Sequence, residues 1–363
     1  MLFKKINKLF KNPGVFFRDY FLKRNPIIRN EILCPDEEED ILMRHDLAMN
    51  NLINTSFDID VVYTWVDNSD AVWREKFKYH LLNENDKSKY GTNDSRFENH
   101  DELYYSVRSV LNNMPWVRYI YIITDNQCPI WLKSLNSNKI RIIDHRDIID
   151  SEYLPTFNSH VIEAHLHRIN GLAENFIYFN DNVFVGRYLP ASHFFGSNGV
   201  ASLFLSQKRL SKLLSKGVIT PTLYASLNSK KILSELNLDI DIPLVHTYVP
   251  LKKSTYNYVW DNYSDDIQSF FNNKFRSNND YNLATFLVPW IMYNQGRSTL
   301  RRDICYYFNI RSKQAKTYYS ALLNAKLTET MPHSFCINDF LSEKGNYIEN
   351  YSLIFKSEIK KIV

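Results

Sequence analysis

The sequence lacks the long apolar runs and biased compositions that mark membrane-spanning or fibrous proteins. No segment reaches the roughly 18 consecutive apolar residues of a transmembrane helix. Lysines interrupt the apolar residues of the first 30 positions and no small-residue cleavage site follows, so we expect no signal peptide. With 9 glycines and 12 prolines, collagen-like and low-complexity chains are excluded. The 363 residues predict a globular protein of about two domains.

Cysteine and the common catalytic motifs are equally scarce. The four cysteines form no C-x-x-C pair and no zinc-type spacing, so neither a disulfide framework nor a zinc centre is expected, and a reducing compartment is the simpler interpretation. The sequence contains no G-x-G-x-x-G, G-x-x-x-x-G-K-[ST], G-x-S-x-G or H-E-x-x-H pattern. These absences disfavour dinucleotide oxidoreductases, P-loop kinases and α/β-hydrolases.

Positive charge is concentrated at the N-terminus. Residues 1–29 contain eight basic side chains and one acidic side chain, whereas the remainder is close to neutral. Apolar residues of this segment recur at helical spacing, with lysines on the other side: Leu2, Phe3, Ile6, Leu9 and Phe10. The pattern predicts a basic amphipathic helix for an anionic membrane surface. A surface helix docked on the body is the alternative, and nucleic-acid binding is not expected because the body lacks a matching basic surface.

Apolar, β-branched segments alternate with helical patterns in the first 200 residues. The predicted buried strands are 59–67, 117–125, 140–145 and 175–181. The predicted helices are 68–82, 102–114 and 159–170. This alternation predicts an α/β fold, with a layered, largely parallel sheet flanked by helices and a mainly helical C-terminal part. The segments are a basic amphipathic N-terminus at 1–30, a linker at 31–56, an α/β core at 57–200, a mainly helical second half at 201–345 and a tail at 346–363.

Every predicted strand ends in an aspartate. The four are Asp67, Asp125, Asp144 and Asp181. Ligands of parallel sheets bind at the carboxyl ends of the strands, where neighbouring carboxylates repel each other unless a cation is present. The sequence therefore predicts a divalent cation, Mg²⁺ or Mn²⁺, that also binds phosphates. The Asn-Asp-Asn turn at 180–182 is the leading candidate, and an ordinary turn after a strand is the alternative.

Two further groups offer a base and an anion-binding side chain. His160, Glu163 and His167 share one face of a predicted helix, where a carboxylate and an imidazole could form a general base with its orienting partner. Ordinary surface or interface histidines are the alternative. Arg276 and Asp280 lie one helical turn apart, which predicts either a simple ion pair or a phosphate-binding arginine oriented by the aspartate.

Several long segments resemble the Stealth family of sugar-1-phosphate transferases. They are DIDVVYTWVDNSDAVWREKF (58–77), RFENHDELYYSVRSVLNNMPWVRYIYIITDNQCPIWL (96–132) and LPTFNSHVIEAHLHRINGLAENFIYFNDNVFVG (154–186), followed by the shorter NKFRSNND (273–280) and CINDF (336–340). The resemblance implies an enzyme that transfers hexose- or N-acetylhexosamine-1-phosphate from a UDP-sugar to a hydroxyl of an acceptor sugar. UMP would be released, and the phosphodiester product would belong to a bacterial capsule or cell-surface polysaccharide.

The resemblance also implies roles for individual residues. The catalytic residues would be Asp181, His167, Arg276 and Glu163. The substrate-binding residues would be Trp65, Asp67, Ser69, Asp70, Arg96, Arg108, Thr156, Ser159, Asn180 and Asp280. The metal ligands would be Asp181, Asn338 and Asp339. The segment 57–200 would bind the nucleotide sugar, and 201–345 would complete the catalytic domain.

Two positions depart from the family pattern. Asn182 stands where relatives commonly have a second aspartate, which weakens the predicted metal site although an amide oxygen can still bind a cation. Relatives often have a histidine next to a proline before the third segment, whereas His246 is separated from Pro250 here.

The resemblance implies a peripheral position at the bacterial inner membrane, on the cytoplasmic side. The implied partners are a UDP-sugar donor, a saccharide acceptor, an anionic membrane surface and other polysaccharide-assembly proteins. An ordinary glycosyltransferase that releases UDP is one alternative. A non-catalytic, UDP-sugar-binding member of an assembly complex is the other.

Overall fold

The structure is a computed structural model that describes residues 10, 13–24, 28–44, 55–83, 97–135, 137–339 and 347–363. The strands are β1 (Ile59–Thr64), β2 (Ile120–Thr124), β3 (Ile140–Asp144), β4 (Asn175–Asn180), β5 (Val183–Val185), β6 (Ala201–Phe204), β7 (Val249–Lys252), β8 (Ser298–Arg301), β9 (Cys305–Asn309) and β10 (Ser334–Asn338). The helices are α1 (Pro13–Arg24), α2 (Asp36–Arg44), α3 (Ala71–Asn83), α4 (Glu102–Asn113), α5 (Leu132–Leu135), α6 (His145–Ile148), α7 (Ser159–Ala164), α8 (Ala191–Phe194), α9 (Leu210–Ser215), α10 (Pro221–Glu235), α11 (Lys253–Asn262), α12 (Ser264–Gln268), α13 (Val288–Asn294), α14 (Ala315–Leu327) and α15 (Tyr351–Ile362).

The central sheet has five strands in the order β3-β2-β1-β4-β7. The first four strands are parallel, and β7 pairs antiparallel with β4 at the edge. In the middle of the sheet Val61 pairs with both Ile120 and Ile177, and all three side chains are fully buried. Burial on both faces explains why these strands appear in the sequence as continuous apolar runs rather than alternating ones. The predicted α/β class with a largely parallel sheet is confirmed.

Two predicted helices of the first half are present with nearly the predicted bounds. The carboxylate of Asp70 accepts a hydrogen bond from the backbone of Trp73 at 3.0 Å, which caps α3. Helix α4 buries Leu103, Val107 and Val110 against the main core. The prediction of one helix over 159–170 is wrong, because α7 ends at Ala164 and a 3₁₀ turn, Leu166–Arg168, follows.

The second half of the chain contributes strands as well as helices. Strand β7 completes the central sheet, β6 pairs with β8, and a three-stranded sheet has the order β5-β10-β9. Helices make up most of the regular structure over 201–345, which agrees with the predicted mainly helical second half, and five strands of four or five residues lie among them in the described part of the chain. One buried apolar cluster includes residues of β1, β4, β7 and α13, so both halves share a core. The short strands β6, β8 and β10 are too brief to give a clear periodic signal.

An extended segment of residues 28–35, called the strap below, lies along the second half of the chain. The side-chain amide of Asn30 donates to the carbonyl of Asp303 at 2.8 Å and accepts from the backbone N–H of Cys305 at 2.9 Å. Ile32 is fully buried. The prediction of a loosely packed linker at 31–56 differs from the structure over 31–44, where the strap and α2 pack on the body.

The C-terminal segment ends in a docked helix rather than a free tail. Helix α15 buries Phe355, Ile359 and Ile362 in a second apolar cluster that also contains residues of α14 and β10. Among the described helices, none combines the length and the hydropathy that a membrane crossing requires. The predicted amphipathic helix falls on residues 1–10, of which 1–9 lie outside the described part of the chain.

Candidate functional site

A cleft of about 980 Å³ opens at the carboxyl ends of β1 and β4. Parallel sheets place ligand sites at this edge because the connections that follow the strands meet there. Of the predicted site residues, nine line the cleft: Trp65, Thr156, Ser159, Glu163, Asn180, Asp181, Arg276, Asn338 and Asp339. The fold therefore brings together side chains from four of the segments that carry the family resemblance.

Asp181 follows β4 directly and has a perturbed carboxyl group. Burial raises the pKa of its carboxyl group to about 6, although backbone hydrogen bonds from Asn182 and from its own N–H act in the opposite direction. A carboxylate that loses hydration without gaining a cationic neighbour is held in its less stable charged form at neutral pH. A bound cation would relieve that cost.

Hydrogen bonds join the turn that contains Asp181 to the three-stranded sheet. The side-chain nitrogen of Asn182 donates to Oδ1 of Asn338 at 3.2 Å, and the nitrogen of Asn338 donates to the hydroxyl of Tyr307 at 2.6 Å. Oδ1 of Asn182 is buried and has no hydrogen-bond partner among the described residues. Two adjacent residues thus offer a carboxylate and an amide oxygen that lacks a partner among the described residues, and oxygen atoms of these types fit a hard cation such as Mg²⁺. The oxygen of Asn338 is already engaged.

Asp339 is paired with an arginine. Nε and Nη2 of Arg311 both contact its carboxylate, the latter at 2.9 Å, and Nε2 of His100 lies 3.1 Å away. Burial alone would raise the pKa of Asp339, but the hydrogen bonds from His100 and Arg311 outweigh it and lower the pKa. Glu98, His100 and Asp339 offer ligand atoms within 4.8 Å of one another. Arg311 also binds Glu98 at 2.9 Å, so a guanidinium already supplies positive charge there.

Arg276 presents a guanidinium to the cleft. Its Nε donates to the hydroxyl of Ser159 at 3.0 Å and its Nη1 to Thr222 at 3.3 Å. No carboxylate of the described residues forms an ion pair with it. The predicted ion pair with Asp280 is absent because the segment around 273–280 is a loop rather than a helix. An arginine held by two hydroxyl groups keeps its charge available for an anion.

Asp280 is fully buried and acts as a structural hub rather than as part of the cleft wall. Its carboxylate accepts from Nδ1 of His160 at 2.9 Å, from Asn158 at 2.9 Å and from Asn273 at 2.8 Å. These bonds hold the loop that carries Arg276 against the start of α7. Asp280 therefore positions the arginine indirectly and does not itself line the cleft.

Two glutamates complete the acidic part of the cleft. Glu163 projects from α7, is largely buried, and receives no side-chain hydrogen bond from the residues described. Glu102, at the start of α4, accepts from the backbone N–H of His100 at 2.7 Å. Burial, followed by the charge of Asp181, raises the pKa of Glu102 to about 7. Perturbed carboxyl groups gathered in one cleft are typical of catalytic sites.

His167 does not join Glu163 in the cleft, because α7 ends before it. The imidazole is buried and stacks on Tyr256 with a centroid distance of 5.4 Å, and burial lowers its pKa to about 3. His246, set aside by its distance from Pro250, lines the cleft instead. The enclosing walls of the cleft, together with the charge of Arg276, lower the pKa of His246 to about 4.

The predicted residues after β1 mostly build a turn. Trp65 lines the cleft, whereas the carboxylate of Asp67 accepts from the backbone of Ser69 at 2.8 Å and from Asn99 at 3.1 Å. Asp70 is occupied as the cap of α3. These three polar residues, Asp67, Ser69 and Asp70, shape the turn and do not line the cleft.

Of the two arginines predicted from the second segment, the structure describes only Arg108, which does not line the cleft. The guanidinium of Arg108 lies over the ring of Tyr104, 5.6 Å from its centroid, on helix α4. Arg96 lies outside the described residues. Sequence reasoning also missed Lys208 and Tyr307, which line the cleft, because they belong to the segments with the weakest patterns.

The four strand-end aspartates do not converge as predicted. Asp125 binds Lys76 at 2.6 Å, and Asp144 binds Arg146 at 2.8 Å and caps α6. Strands β2 and β3 lie on the far side of β1 from β4, so their ends are separated from Asp181. Only Asp181 of the four lines the cleft.

Comparison with known proteins points to one group. The model of Stealth protein conserved region 1 matches residues 57–79, and that of conserved region 2 matches residues 96–203. The chain is 54% identical to the capsular polysaccharide phosphotransferase LcbA of Aeromonas hydrophila, over 94% of this chain and 96% of that protein. It is 51% identical to the LcbA protein of Neisseria meningitidis, over 97% of both chains.

More distant similarities are also present. An exopolysaccharide phosphotransferase of Streptomyces coelicolor is 33% identical over 79% of this chain and 48% of that protein. Among solved structures, the galactosyltransferase LgtC in complex with donor and acceptor sugar analogues has a TM-score of 0.37 and 8% identity, over 83% of this chain and 95% of that chain.

Proposed function

Since the chain belongs to the Stealth family, we propose that it transfers hexose- or N-acetylhexosamine-1-phosphate from a UDP-sugar to a hydroxyl of an acceptor sugar, with release of UMP. The enzyme is a transferase of phosphate-containing groups in capsule synthesis, as its relatives are named capsular polysaccharide phosphotransferases. The observation that carries the finer proposal is the presence of Asp181 and Arg276 in one cleft. Together they pair an unneutralised carboxylate with an available guanidinium.

The proposed reaction breaks a phosphate linkage and leaves the glycosidic bond intact. The acceptor oxygen attacks the phosphorus that carries the sugar, and the bond from that phosphorus to the bridging oxygen breaks. UMP leaves with the electron pair, and the proton of the hydroxyl passes to the carboxylate of Glu163. Arg276 stabilises the charge that develops on the phosphoryl oxygens, because its guanidinium faces the cleft without a carboxylate partner among the described residues.

A divalent cation, Mg²⁺ or Mn²⁺, fits Asp181 and the unpartnered oxygen of Asn182. When bound, it would supply positive charge to the diphosphate and to the leaving UMP. Trp65 directly follows β1, Asn180 is the last residue of β4, and both line the cleft. They are proposed to contact the donor. Ser159 and Asp280 keep Arg276 in place, the first directly and the second through the loop.

The decisive experiment identifies the nucleotide product. The purified protein is incubated with Mg²⁺, a panel of UDP-sugars and capsular oligosaccharides, and the products are analysed by nucleotide chromatography and phosphorus NMR. We expect UMP and a new phosphodiester signal. Release of UDP would establish an ordinary glycosyltransferase, and donor binding without turnover across the panel would establish a binding protein; either result contradicts the proposal.

Two substitutions test the roles of individual side chains. Asp181→Asn and Arg276→Ala should each reduce turnover about 100-fold or more, since both remove charge from the reacting region. The matched controls are Asp125→Asn and Arg146→Ala, whose native side chains form ion pairs outside the cleft. Turnover close to that of the wild type in the cleft variants would refute these assignments.

A further inference from the structure

A second cation of the cleft, Lys208, is not used by the proposed reaction. It follows β6, lines the cleft, and its side chain is 51% exposed. Its Nζ lies 3.0 Å from Oε2 of Glu31 in the strap and 5.4 Å from the centroid of the Tyr307 ring. An ion pair with this much exposure contributes little to stability, so the needs of the fold do not explain its position.

The backbone that carries Lys208 is fixed by the strap. The backbone N–H of Gln207 donates to the carbonyl of Glu31 at 3.3 Å, and its side-chain amide donates to the carbonyls of Asn30 at 3.1 Å and Ile32 at 3.3 Å. The backbone of Lys208 is therefore held in place, while its ammonium group reaches the solvent of the cleft. A cation placed in this way is preorganised for an anionic ligand.

A short series of contacts relates Lys208 to the proposed reaction centre. The ring under its ammonium group belongs to Tyr307, whose hydroxyl accepts from Asn338, and Asn338 in turn accepts from Asn182 beside Asp181. Lys208 is thus separated from Asp181 by one ring and two amides. The proposed function places the donor diphosphate at Asp181 and Arg276. Lys208 lies outside that position and is therefore available to bind another part of the reactants.

We propose that Lys208 binds a phosphodiester already present in the acceptor chain. The inference rests on the proposed function, because each transfer creates a phosphodiester and a lengthened acceptor carries that anion near its growing end. Lys208 would make the cleft selective for an acceptor that contains a product of earlier transfers. Glu31 is a positioning residue that neutralises the ammonium group until the acceptor arrives.

The test compares two acceptors of equal length, one with an internal phosphodiester and one neutral. Lys208→Met should raise KM for the phosphodiester acceptor about tenfold or more, with kcat, the KM of the neutral acceptor and the KM of the UDP-sugar each changed less than about twofold. Lys208→Arg should restore most of the affinity. Lys212→Met, which removes an exposed lysine of α9 outside the cleft, should change none of these constants.

Two results would overturn the inference. An equal increase in KM for both acceptors would show that Lys208 does not recognise the phosphodiester, and an increase in KM for the donor would place it at the donor diphosphate. A fluorescence-anisotropy titration of both labelled acceptors separates this inference from the proposed function, because it needs no turnover. If the wild type binds the phosphodiester acceptor no more tightly than Lys208→Met does, the inference fails whatever the activity.

Discussion

At the scale of single residues, two aspartates of the cleft wall have opposite electrostatic environments. Asp339 is neutralised by Arg311 and His100, and its pKa is lowered. Among the described residues Asp181 has no such partner, and burial raises its pKa to about 6. Of these two aspartates, only Asp181 therefore lowers the stability of the fold at neutral pH. Such a cost is expected of a side chain that is retained for function.

Asp181→Asn should stabilise the protein in metal-free buffer while it abolishes turnover. Burial raises the pKa of Asp181 from its ordinary value of 3.8 to about 6 in the folded state, so the charged carboxylate destabilises the native state increasingly above about pH 4 and in full above about pH 6. The gain in unfolding free energy should be about 1–3 kcal/mol at pH 7.5, decline below pH 6 and vanish below about pH 4. Urea unfolding of both proteins across this pH range measures it.

The same comparison carries its own control. Mg²⁺ should stabilise the wild type more than Asp181→Asn, because only the wild type keeps the carboxylate that fits the cation. The buried histidines titrate in both proteins, so they cancel in the difference, whereas the loss of the Asp181 charge also lowers the pKa of Glu102 and adds to the stability of the variant near pH 7. A variant that is less stable than the wild type at pH 7.5 without metal would contradict the prediction.

The sequence predicts the location of a single residue well or poorly according to its position within a strand or a helix. Asp181 and Asn180 end an apolar strand, and their exposure to the cleft follows from the geometry of a parallel sheet. His167 was wrongly placed on a face with Glu163 because helical periodicity does not report where a short helix ends. The separation of His246 from Pro250 argues against a role for this histidine in the site. Spacing along the chain, however, says nothing about which loops meet in space.

At the scale of elements, the strap is the clearest case of an ordered segment that the sequence does not predict. Its eight residues, IRNEILCP, are too few for a periodic pattern and stand between a basic segment and the acidic run at 37–40, which is why the sequence suggests a linker. Yet Asn30 is 5% exposed and supplies three hydrogen bonds, to the backbones of Ile32, Asp303 and Cys305. The contacts join positions about 275 residues apart, and no local pattern can encode such a pairing.

Asn30→Ala should lower the free energy of unfolding by about 2–3 kcal/mol, since it leaves buried backbone groups without partners. Equilibrium unfolding in urea, followed by circular dichroism, measures the change. Asn257→Ala is the control, because that side chain is exposed on α11. A loss below about 0.5 kcal/mol for Asn30→Ala would show that the strap contributes little to the fold.

Strands and long helices of the first half were predictable for a physical reason. Strands β1, β2 and β4 are buried on both faces, which requires continuous apolar runs, and α4 has one buried face. The strands of the three-stranded sheet are only three to five residues long, and their partners are distant in sequence. Their pairing is set by the assembled core and could not be inferred from local patterns.

At the scale of the whole molecule, the distribution of charge suggests where the enzyme works. We propose that it is peripheral at the inner face of a bacterial membrane, beside other polysaccharide-assembly proteins. Helix α1 exposes Phe17 and Phe21, which are 50% and 57% accessible, within a segment rich in lysine and arginine. Exposed aromatic rings next to basic residues are typical of helices that lie on anionic lipid surfaces.

Deletion of residues 1–27 should reduce co-sedimentation with vesicles of phosphatidylglycerol while turnover of a soluble acceptor stays near that of the full chain. The cut is placed before residue 28 so that the strap is retained. Vesicles of phosphatidylcholine serve as the control, because they lack the anionic surface that the basic side chains require. Equal sedimentation of both proteins with the anionic vesicles would contradict the membrane proposal.

The guanidinium of Arg311 lies between Glu98 and Asp339 and neutralises these two carboxylates. The acidic residues of the cleft therefore fall into two groups that respond differently to ions in solution. One group carries a permanent, covalently tethered countercharge, further covered by Tyr351 of the last helix, with the guanidinium carbon 4.3 Å from the centre of its ring. The other group, at Asp181, depends on what the solution provides. Chelators should consequently abolish turnover while the contacts of Arg311 with Glu98 and Asp339 stay in place.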